Sequence, residues 1–205
     1  TEQLAVWLVT DLDTRYRHRE DTLQRLASLL REWLEAMPGN GIVYFPSYRY
    51  MHSCLRLLDD LEPRRTLWVQ APQEGEERRA ELLSLLQEKR DIVAFCILGG
   101  IFSEGIDLPG DALASVAVVG VGMPQVNQDT RELQEWYEQR TGAGFQYTFI
   151  YPGLQKVDQA LGRVVRSARD KGNALLIDTR YRQPPYRQLL PPWWTYRQWP
   201  PQRPQ

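Results

Sequence analysis

The sequence predicts an α/β fold in which a parallel sheet is covered by helices on both faces. Short apolar segments alternate with longer amphipathic segments along the chain. The short segments are apolar at nearly every position, which is typical of strands that are buried on both faces. The chain has 205 residues, of which 42% are hydrophobic, so it is long and apolar enough to bury one core.

The first half of the chain predicts four strands and three helices. Residues 4–9, LAVWLV, form the first strand. The first helix, about residues 21–37, has apolar side chains at the i, i+3, i+4 and i+7 spacing of one helix face and ends at Pro38-Gly39. The other elements predicted here are strands at 42–45, 66–69 and 92–98, a helix at 47–61 with Ser47 as its N-cap, and a helix at 74–89.

The second half of the chain predicts two more strands, two more helices and a tail. The elements are strands at 115–121 and 174–177, a helix at 127–140 capped by Asn127, a helix at 154–168, and a segment at 145–151 that fits either a strand or a loop. Seven of the 14 prolines lie in 184–204, together with Trp193, Trp194 and Trp199. Because proline disrupts regular elements, we expect a domain at 1–183 and an irregular tail at 184–205, partly docked through its tryptophans.

Composition and charge exclude several classes of protein. Two cysteines and two histidines are too few for a disulfide framework, a four-cysteine cluster or a typical zinc site, so we expect no metal site in the chain. The chain contains no apolar run long enough to span a membrane and no leader, so we expect a cytoplasmic location and no membrane partner. Residues 1–150 carry 15 Lys and Arg against 23 Asp and Glu, whereas 151–205 carry 10 against 3. This distribution excludes a basic footprint over the whole surface but allows a basic face near the C-terminus.

Two loops at the carboxyl ends of predicted strands carry candidate binding residues, because ligands of open parallel sheets bind at that edge. Ser47 begins a helix whose free amides and dipole suit a phosphate, and Tyr48 beside it suits stacking on a base. In the glycine-containing loop at 99–111, Ser103 can donate to a phosphate oxygen and Asp107 can accept from a ribose hydroxyl. A metal or acid–base role for the carboxylates of this loop is less favoured. An ordinary capping serine and an ordinary tight turn are the plainer alternatives.

The helix predicted at 154–168 carries a third candidate site. Gln159, Arg163 and Arg166 are spaced i, i+4 and i+7, so they share one helix face, and Gly162 beside them permits close approach. Two arginines one turn apart suit a polyphosphate lying between them, although a solvated basic face is the common alternative. The chain contains no GxxxxGK[ST] loop, so we expect any contact with ATP to come from across a cleft.

Three motifs resemble, in order, those of a helicase family. FPSY at 45–48 resembles motif IV, GGIFSEGIDLPGD at 99–111 resembles motif V and QALGRVVRSARDKG at 159–172 resembles motif VI of the XPD/DinG-type superfamily 2 DNA helicases. The resemblance is to the second motor domain and covers roughly residues 1–195, and the bacterial DinG/YoaA-like members resemble the chain more than the eukaryotic ones. It implies a RecA-like fold and the C-terminal motor lobe of an ATP-dependent 5′–3′ DNA helicase.

The resemblance also implies a division of the ATP site between two lobes. ATP and Mg²⁺ would be bound mainly by an N-terminal lobe outside this chain. From this chain, Arg163 and Arg166 would reach the γ-phosphate of that ATP, and Gln159 would couple the site to the lobe interface. The positions implied near the nucleotide are Glu104, Gly105 and Asp107. An iron–sulfur cluster, where the family has one, lies upstream and not in this chain. We therefore expect the isolated chain to be inactive as an ATPase.

For DNA, the resemblance implies contacts from Ser47, Tyr48 and Ser103. The implied partners are single-stranded DNA and the N-terminal motor lobe of the same polypeptide. Two other interpretations stay open: a non-catalytic helicase-like interaction module, and a free-standing Rossmann-type nucleotide-binding enzyme. The intact motif VI residues disfavour the first, and the lack of fingerprint glycines after the first strand disfavours the second.

Overall fold

A computed structural model describes residues 3–58, 65–100, 102, 112–165 and 171–201. The strands in these residues are β1 (Leu4–Val9), β2 (Gly41–Phe45), β3 (Thr66–Val69), β4 (Ile92–Ile97), β5 (Ser115–Val119), β6 (Gly172–Ile177) and β7 (Thr195–Gln198). They form one sheet in the order β3-β4-β2-β5-β6-β1-β7, and every neighbouring pair is parallel. The predicted α/β class with a parallel sheet is confirmed.

Helices cover both faces of the sheet. They are α1 (Arg19–Ala36), α2 (Tyr48–Leu55), α3 (Glu76–Glu88), α4 (Gln128–Thr141), α5 (Tyr151–Leu161) and α6 (Pro184–Leu189). Along β2, Ile42 and Tyr44 belong to the core beneath α3 and α5, whereas Val43 and Phe45 belong to the core beneath α1 and α2. Successive strand residues point to opposite faces, so an apolar residue at every position is what a sheet covered on both sides requires. Each fully buried Leu or Phe side chain stabilises the fold by about 1.5–3 kcal/mol.

Two helices begin at the capping residues that the sequence predicts. The Ser47 hydroxyl accepts from the Tyr50 amide at 3.4 Å and begins α2. Asn127 begins α4 in a capping box with Thr130, in which the side chain of each residue accepts from the backbone amide of the other at 2.9 Å. At its other end α2 stops at Leu55, earlier than the predicted residue 61. No helix in the described part of the chain is long and apolar enough to cross a membrane.

Two predictions around α5 are wrong. Residues 145–151 form neither a strand nor a loop, because a π-helix at Gln146–Ile150 continues directly into α5. The helix predicted to reach residue 168 ends at Leu161. Beyond it, the amides of Arg163 and Val164 turn to carbonyls three residues back, at 3.3 and 3.1 Å. Gly162 is a poor helix former, and Val164 packs directly against Gly172 at the start of β6, so tertiary packing closes the helix early.

The prediction that residues 184–205 hold no regular element is also wrong. Pro184 and the proline after it occupy the first turn of α6, the position where a missing amide costs nothing. The proline-free run Thr195–Gln198 forms β7, which pairs with β1 at the edge of the sheet. Trp199 then packs edge-on against Trp7 and Trp33, with ring centroids 5.4 and 5.0 Å apart. These contacts join the C-terminal segment to the core beneath α1.

Candidate functional site

The carboxyl edge of the sheet carries an open groove of about 670 Å³. Its walls come from the loops that follow four strands: Thr14 after β1, Ser47 after β2, Gly120 and Met123 after β5, and Arg180 after β6. A smaller hollow of about 330 Å³ adjoins it between the starts of α1 and α2 and shares Ser47. The structure therefore brings Ser47, one of the residues selected from sequence, into a concave site at the edge where parallel sheets bind ligands.

The groove and its adjoining hollow are lined by arginines. The side chains concerned are Arg15, Arg17, Arg19, Arg49 and Arg180. Glu20 and Asp21 also line the outer hollow, and on the groove side Arg15 is paired with Asp13 and Arg180 with Asp178. Helix α2 begins directly after Ser47, so its N-terminus adjoins the same space. Guanidinium groups, a hydroxyl and a helix N-terminus together suit the phosphates of a nucleic-acid backbone.

Arg19 joins the two sides of the groove. Its guanidinium donates to the Thr14 carbonyl at 3.0 Å and to the Ser47 hydroxyl at 3.4 Å. The same group lies over the ring of Tyr50, 4.7 Å from its centroid, and 5.7 Å from that of Tyr16. Burial lowers the pKa of Arg19, and the nearby cation Arg180 lowers it further. An arginine stays charged despite such shifts, so the floor of the groove carries a fixed positive charge.

A buried carboxylate fixes the walls of the groove. Asp178, at the end of β6, is fully buried and accepts from the Thr14 hydroxyl and, at 3.3 Å, from the Thr14 amide. It also accepts from the Nε and Nη2 atoms of Arg180 at 2.7 and 2.9 Å and from the Arg180 amide at 2.8 Å. Burial is the largest single influence on the pKa of Arg180 and lowers it, but hydrogen bonding to Asp178 and the negative charge of that carboxylate, together with smaller contributions from nearby tyrosines, raise the pKa overall. The loops after β1 and β6 are thus tied to one charged group.

Tyr48 lies next to Ser47, but its hydroxyl faces β3 and β4. It accepts from Gln70 Nε2 at 2.9 Å and donates to the Ala71 carbonyl at 3.3 Å, and Gln70 Oε1 in turn accepts from the Ile97 amide at 2.8 Å. Burial raises the pKa of Tyr48, in keeping with this partly enclosed position. The hydroxyl therefore anchors the start of α2 to the ends of two neighbouring strands, and stacking of the ring on a base stays a prediction.

Arg163 belongs to the turn after α5, which lies at the opposite, amino edge of the sheet. The turn that contains it borders a hollow shared with Gln3 and Leu4 at the start of β1, and Val164 packs on the first residue of β6. Burial raises the pKa of the Tyr44 phenol, and the positive charge of Arg163 opposes that shift, which indicates that the two groups are close. Gln159 is exposed on the last turn of α5. Because the helix ends at Leu161, Gln159 and Arg163 do not share the face of one continuous helix as predicted.

Several residues selected from sequence lie outside the described residues: Ser103, Glu104, Gly105, Asp107 and Arg166. Their described neighbours are well anchored. The Phe102 carbonyl accepts from the buried Tyr44 hydroxyl at 2.9 Å. The Ala112 carbonyl accepts from the amide of the buried Asn40 side chain at 2.8 Å. Within the residues that the structure describes, no group of three or more His, Cys, Asp or Glu side chains could hold a metal ion.

Sequence reasoning missed most of the arginines in the groove. Arg15, Arg17 and Arg19 belong to the run RYRHR, which lies between β1 and the body of α1. The rule that selected the loops after β2 and β4 applies equally to the loop after β1, and an arginine-rich run at that place was the available signal. Arg49 lies in the selected loop after β2, but only the strand order shows that this loop and Arg180 after β6 line the same groove as the loop after β1.

Comparisons with known proteins identify the family of the domain. A family model described as the helicase C-terminal domain matches residues 30–197. The chain belongs to the helicase C-terminal domain family, and within it to the XPD/DinG type. The helicase domain resembles a solved structure named "XPD_Helicase" with a TM-score of 0.76 and 21% identity, over 96% of this chain and 35% of that one. The RecA-like fold implied by the motifs is thereby confirmed.

Curated relatives of the domain come from both eukaryotes and bacteria. "ATP-dependent DNA helicase CHL1" of Candida albicans is 26% identical over 212 residues, which cover 93% of this chain and 25% of the relative. "ATP-dependent DNA helicase DinG" of Photobacterium profundum is 28% identical over 159 residues, which cover 76% of this chain and 22% of the relative. The chain thus spans about a quarter of the length of the relatives it matches. The preference for the bacterial members stays a prediction.

Proposed function

We propose that this domain is the C-terminal motor lobe of an ATP-dependent 5′–3′ DNA helicase. The observation that carries the proposal is that an arginine-lined groove and the turn that contains Arg163 lie toward opposite edges of one sheet. The groove lies at the carboxyl edge, whereas Val164, next to Arg163, packs on Gly172 at the amino end of β6. A motor lobe needs one surface for nucleic acid and another for nucleotide, so that closure of the lobes on ATP can move the DNA.

Arg163 and Arg166 are proposed to face ATP and Mg²⁺ held by the N-terminal lobe. ATP supplies the phosphoryl group whose transfer to water drives the motor. Phosphoryl transfer depends on positioning and charge neutralisation, and an arginine finger contributes roughly a 10³–10⁵ factor in rate. Gln159 is proposed to couple this site to the lobe interface, and Glu104, Gly105 and Asp107 to lie near the nucleotide. Because the fingers and the phosphate-binding loop lie on different lobes, hydrolysis requires closure.

At the carboxyl edge, the groove is proposed to hold part of the single-stranded DNA track. Arg15 and Arg49 are exposed, and Ser47 and the amides of α2 offer further donors to phosphate oxygens. The Tyr16 ring is 75% exposed at the mouth of the groove, a position from which it can stack on a base. Tyr48 and Ser103 are kept as proposed contacts. Such a site binds through the backbone and is therefore tolerant of sequence and sensitive to salt.

The test uses the two-lobed protein and four variants. Arg163→Ala and Arg166→Ala should each lower DNA-stimulated ATP hydrolysis by about two to four decades while leaving the affinity for ATP nearly unchanged, because the lost charge acts mainly in the transition state. Arg166→Lys should not restore the rate, since an ammonium lacks the planar fork of a guanidinium. Arg131→Ala, on the exposed helix α4, is the matched control and should behave as wild type.

Two outcomes would count against the assignment. An arginine whose alanine variant hydrolyses ATP within about twofold of wild type is not a finger. A variant whose melting temperature falls together with its activity instead indicates a structural role for that residue. The direction of translocation is checked separately, by unwinding of duplexes that carry a single-stranded tail on only one end of one strand.

A further inference from the structure

Helix α4 stands on the surface of the domain with little cover. None of its 14 residues is buried. A helix that is not covered by a core gains little stability from its propensity alone, and here the capping box at Asn127 and Thr130 and the ring contacts described next hold it in place. The face of α4 that is turned away from the sheet is therefore available to a partner.

Four aromatic side chains join α4 to the π-helix at Gln146–Ile150 and to the first residue of α5. We call Trp136, Tyr137, Tyr147 and Tyr151 the aromatic ladder. Adjacent ring centroids are 4.9, 5.1 and 5.0 Å apart, and the middle pair is stacked with 18° between the ring planes. Trp136 is 47% exposed, Tyr147 42% and Tyr151 39%. A contiguous exposed patch of this kind is unusual on a protein surface and indicates an interaction site.

The charge beside the ladder selects the chemistry of the partner. Helix α4 carries four acidic residues, Asp129, Glu132, Glu135 and Glu138, against the two basic residues Arg131 and Arg140. This excess of carboxylates repels a phosphate backbone and attracts cations. Arg140 already lies over the Trp136 ring, 3.9 Å from its centroid. The ladder therefore accepts a guanidinium in the protein's own structure.

We propose that the aromatic ladder is a docking surface for a polypeptide segment that carries arginine between apolar residues. Exposed Leu133 and Phe145 flank the ladder and supply apolar contacts for such a segment. Arginine, tryptophan and tyrosine are the residues that dominate the energy of protein interfaces, and carboxylates at the rim add steering. The ladder shares no residue with the groove and does not include Arg163, so the proposal does not depend on the motor function.

The experiment measures binding of defined probes to the 205-residue chain. The first probe is a short acetylated peptide of alternating arginine and leucine, and the second has lysine in place of arginine. We expect the arginine peptide to bind several-fold more tightly, because only the guanidinium stacks on a ring. Trp136→Ala and Tyr147→Ala should each weaken it about tenfold or more. Trp193→Ala removes an exposed ring elsewhere on the surface and is the control, which should bind as wild type.

Further measurements separate the proposal from its alternatives. Arg140→Ala should tighten binding of the arginine peptide, since it vacates the Trp136 ring and leaves α4 more acidic. Equal affinity for the two peptides would overturn the proposal. So would an unchanged affinity for the arginine peptide in both Trp136→Ala and Tyr147→Ala, provided that these variants keep the wild-type melting temperature. Loss of oligothymidylate binding in Trp136→Ala would assign the surface to nucleic acid instead. A concentration-dependent dimer that the same substitution abolishes would assign it to a second copy of the chain.

Discussion

Replacing the buried carboxylate of Asp178 by an amide should destabilise the domain far more than neutralising an exposed carboxylate. The two oxygens accept five hydrogen bonds, two from Thr14 and three from Arg180. In Asp178→Asn the amide nitrogen cannot accept, so the bonds at one oxygen are lost. The Arg180 side chain, 15% exposed, then keeps its charge without a carboxylate partner. Removing one partner of a buried ion pair costs about 3–5 kcal/mol.

Urea and thermal unfolding measure this effect directly. For a chain of 205 residues, about 2–4 °C is lost per kcal/mol, so the melting temperature should fall by roughly 6–20 °C. Asp11→Asn is the matched control. It breaks an ion pair with Arg25 whose side chains are 64% and 53% exposed, and such pairs contribute about 0–1 kcal/mol. If Asp178→Asn were within about 1 kcal/mol of wild type, Asp178 would not be the group that holds the two loops.

A double substitution separates the charge from the shape of the site. Arg180→Met in the Asp178→Asn background removes the uncompensated guanidinium and replaces it by an apolar side chain of similar length. Because most of the cost comes from the unpaired buried charge, this second change should recover a large part of the lost stability. A double variant that is as unstable as the sum of the two single variants would mean that packing, and not charge, dominates there.

Three further outcomes are expected. The isolated chain releases no phosphate from Mg-ATP with single-stranded DNA, and turnover that survives repeated purification would contradict this. Arg15→Ala and Arg49→Ala each weaken binding of oligothymidylate and reduce its salt slope by about 1, whereas Arg131→Ala changes neither. Burial raises the pKa of Asp158 from 3.8 to about 6, so the charged form is disfavoured in the folded protein and stability falls as pH rises from 3.8 to about 6. In urea unfolding measured across pH, Asp158→Asn should abolish that fall. A variant with the same pH dependence as wild type would show that Asp158 ionises equally well in the folded and unfolded states.

Sequence predicted the parts of the fold that local chemistry determines. The apolar runs became strands because a sheet covered on both faces leaves no position for a polar side chain. Ser47 and Asn127 began helices because their side chains satisfy amides within three residues along the chain. Both signals are complete within a few residues, so no knowledge of the tertiary structure was needed to interpret them.

The errors arose where distant parts of the chain meet. Helix α5 ends early because Val164 packs on the first residue of β6, a contact that no window of sequence around Gly162 contains. The C-terminal segment became a strand because β1 offers it an open edge, which overrode the many prolines around it. The set of groove residues predicted from the sequence was incomplete for the same reason. Arg15, Arg49 and Arg180 follow three different strands and line one groove only because of the strand order.

The two edges of the sheet are connected within this lobe by rigid structure. At the carboxyl edge the Leu98 amide donates to the Phe45 carbonyl at 3.0 Å, and at the amino edge the Ala114 amide donates to the Asn40 carbonyl at 2.9 Å. Breaking such a bond in a core leaves a buried polar group unpaired, at a cost of about 1–3 kcal/mol. Strands joined in this way move as one body. If the groove and Arg163 serve one motor, the movement that couples them is therefore closure of the whole lobe on its partner lobe, which carries the DNA groove along as Arg163 approaches ATP.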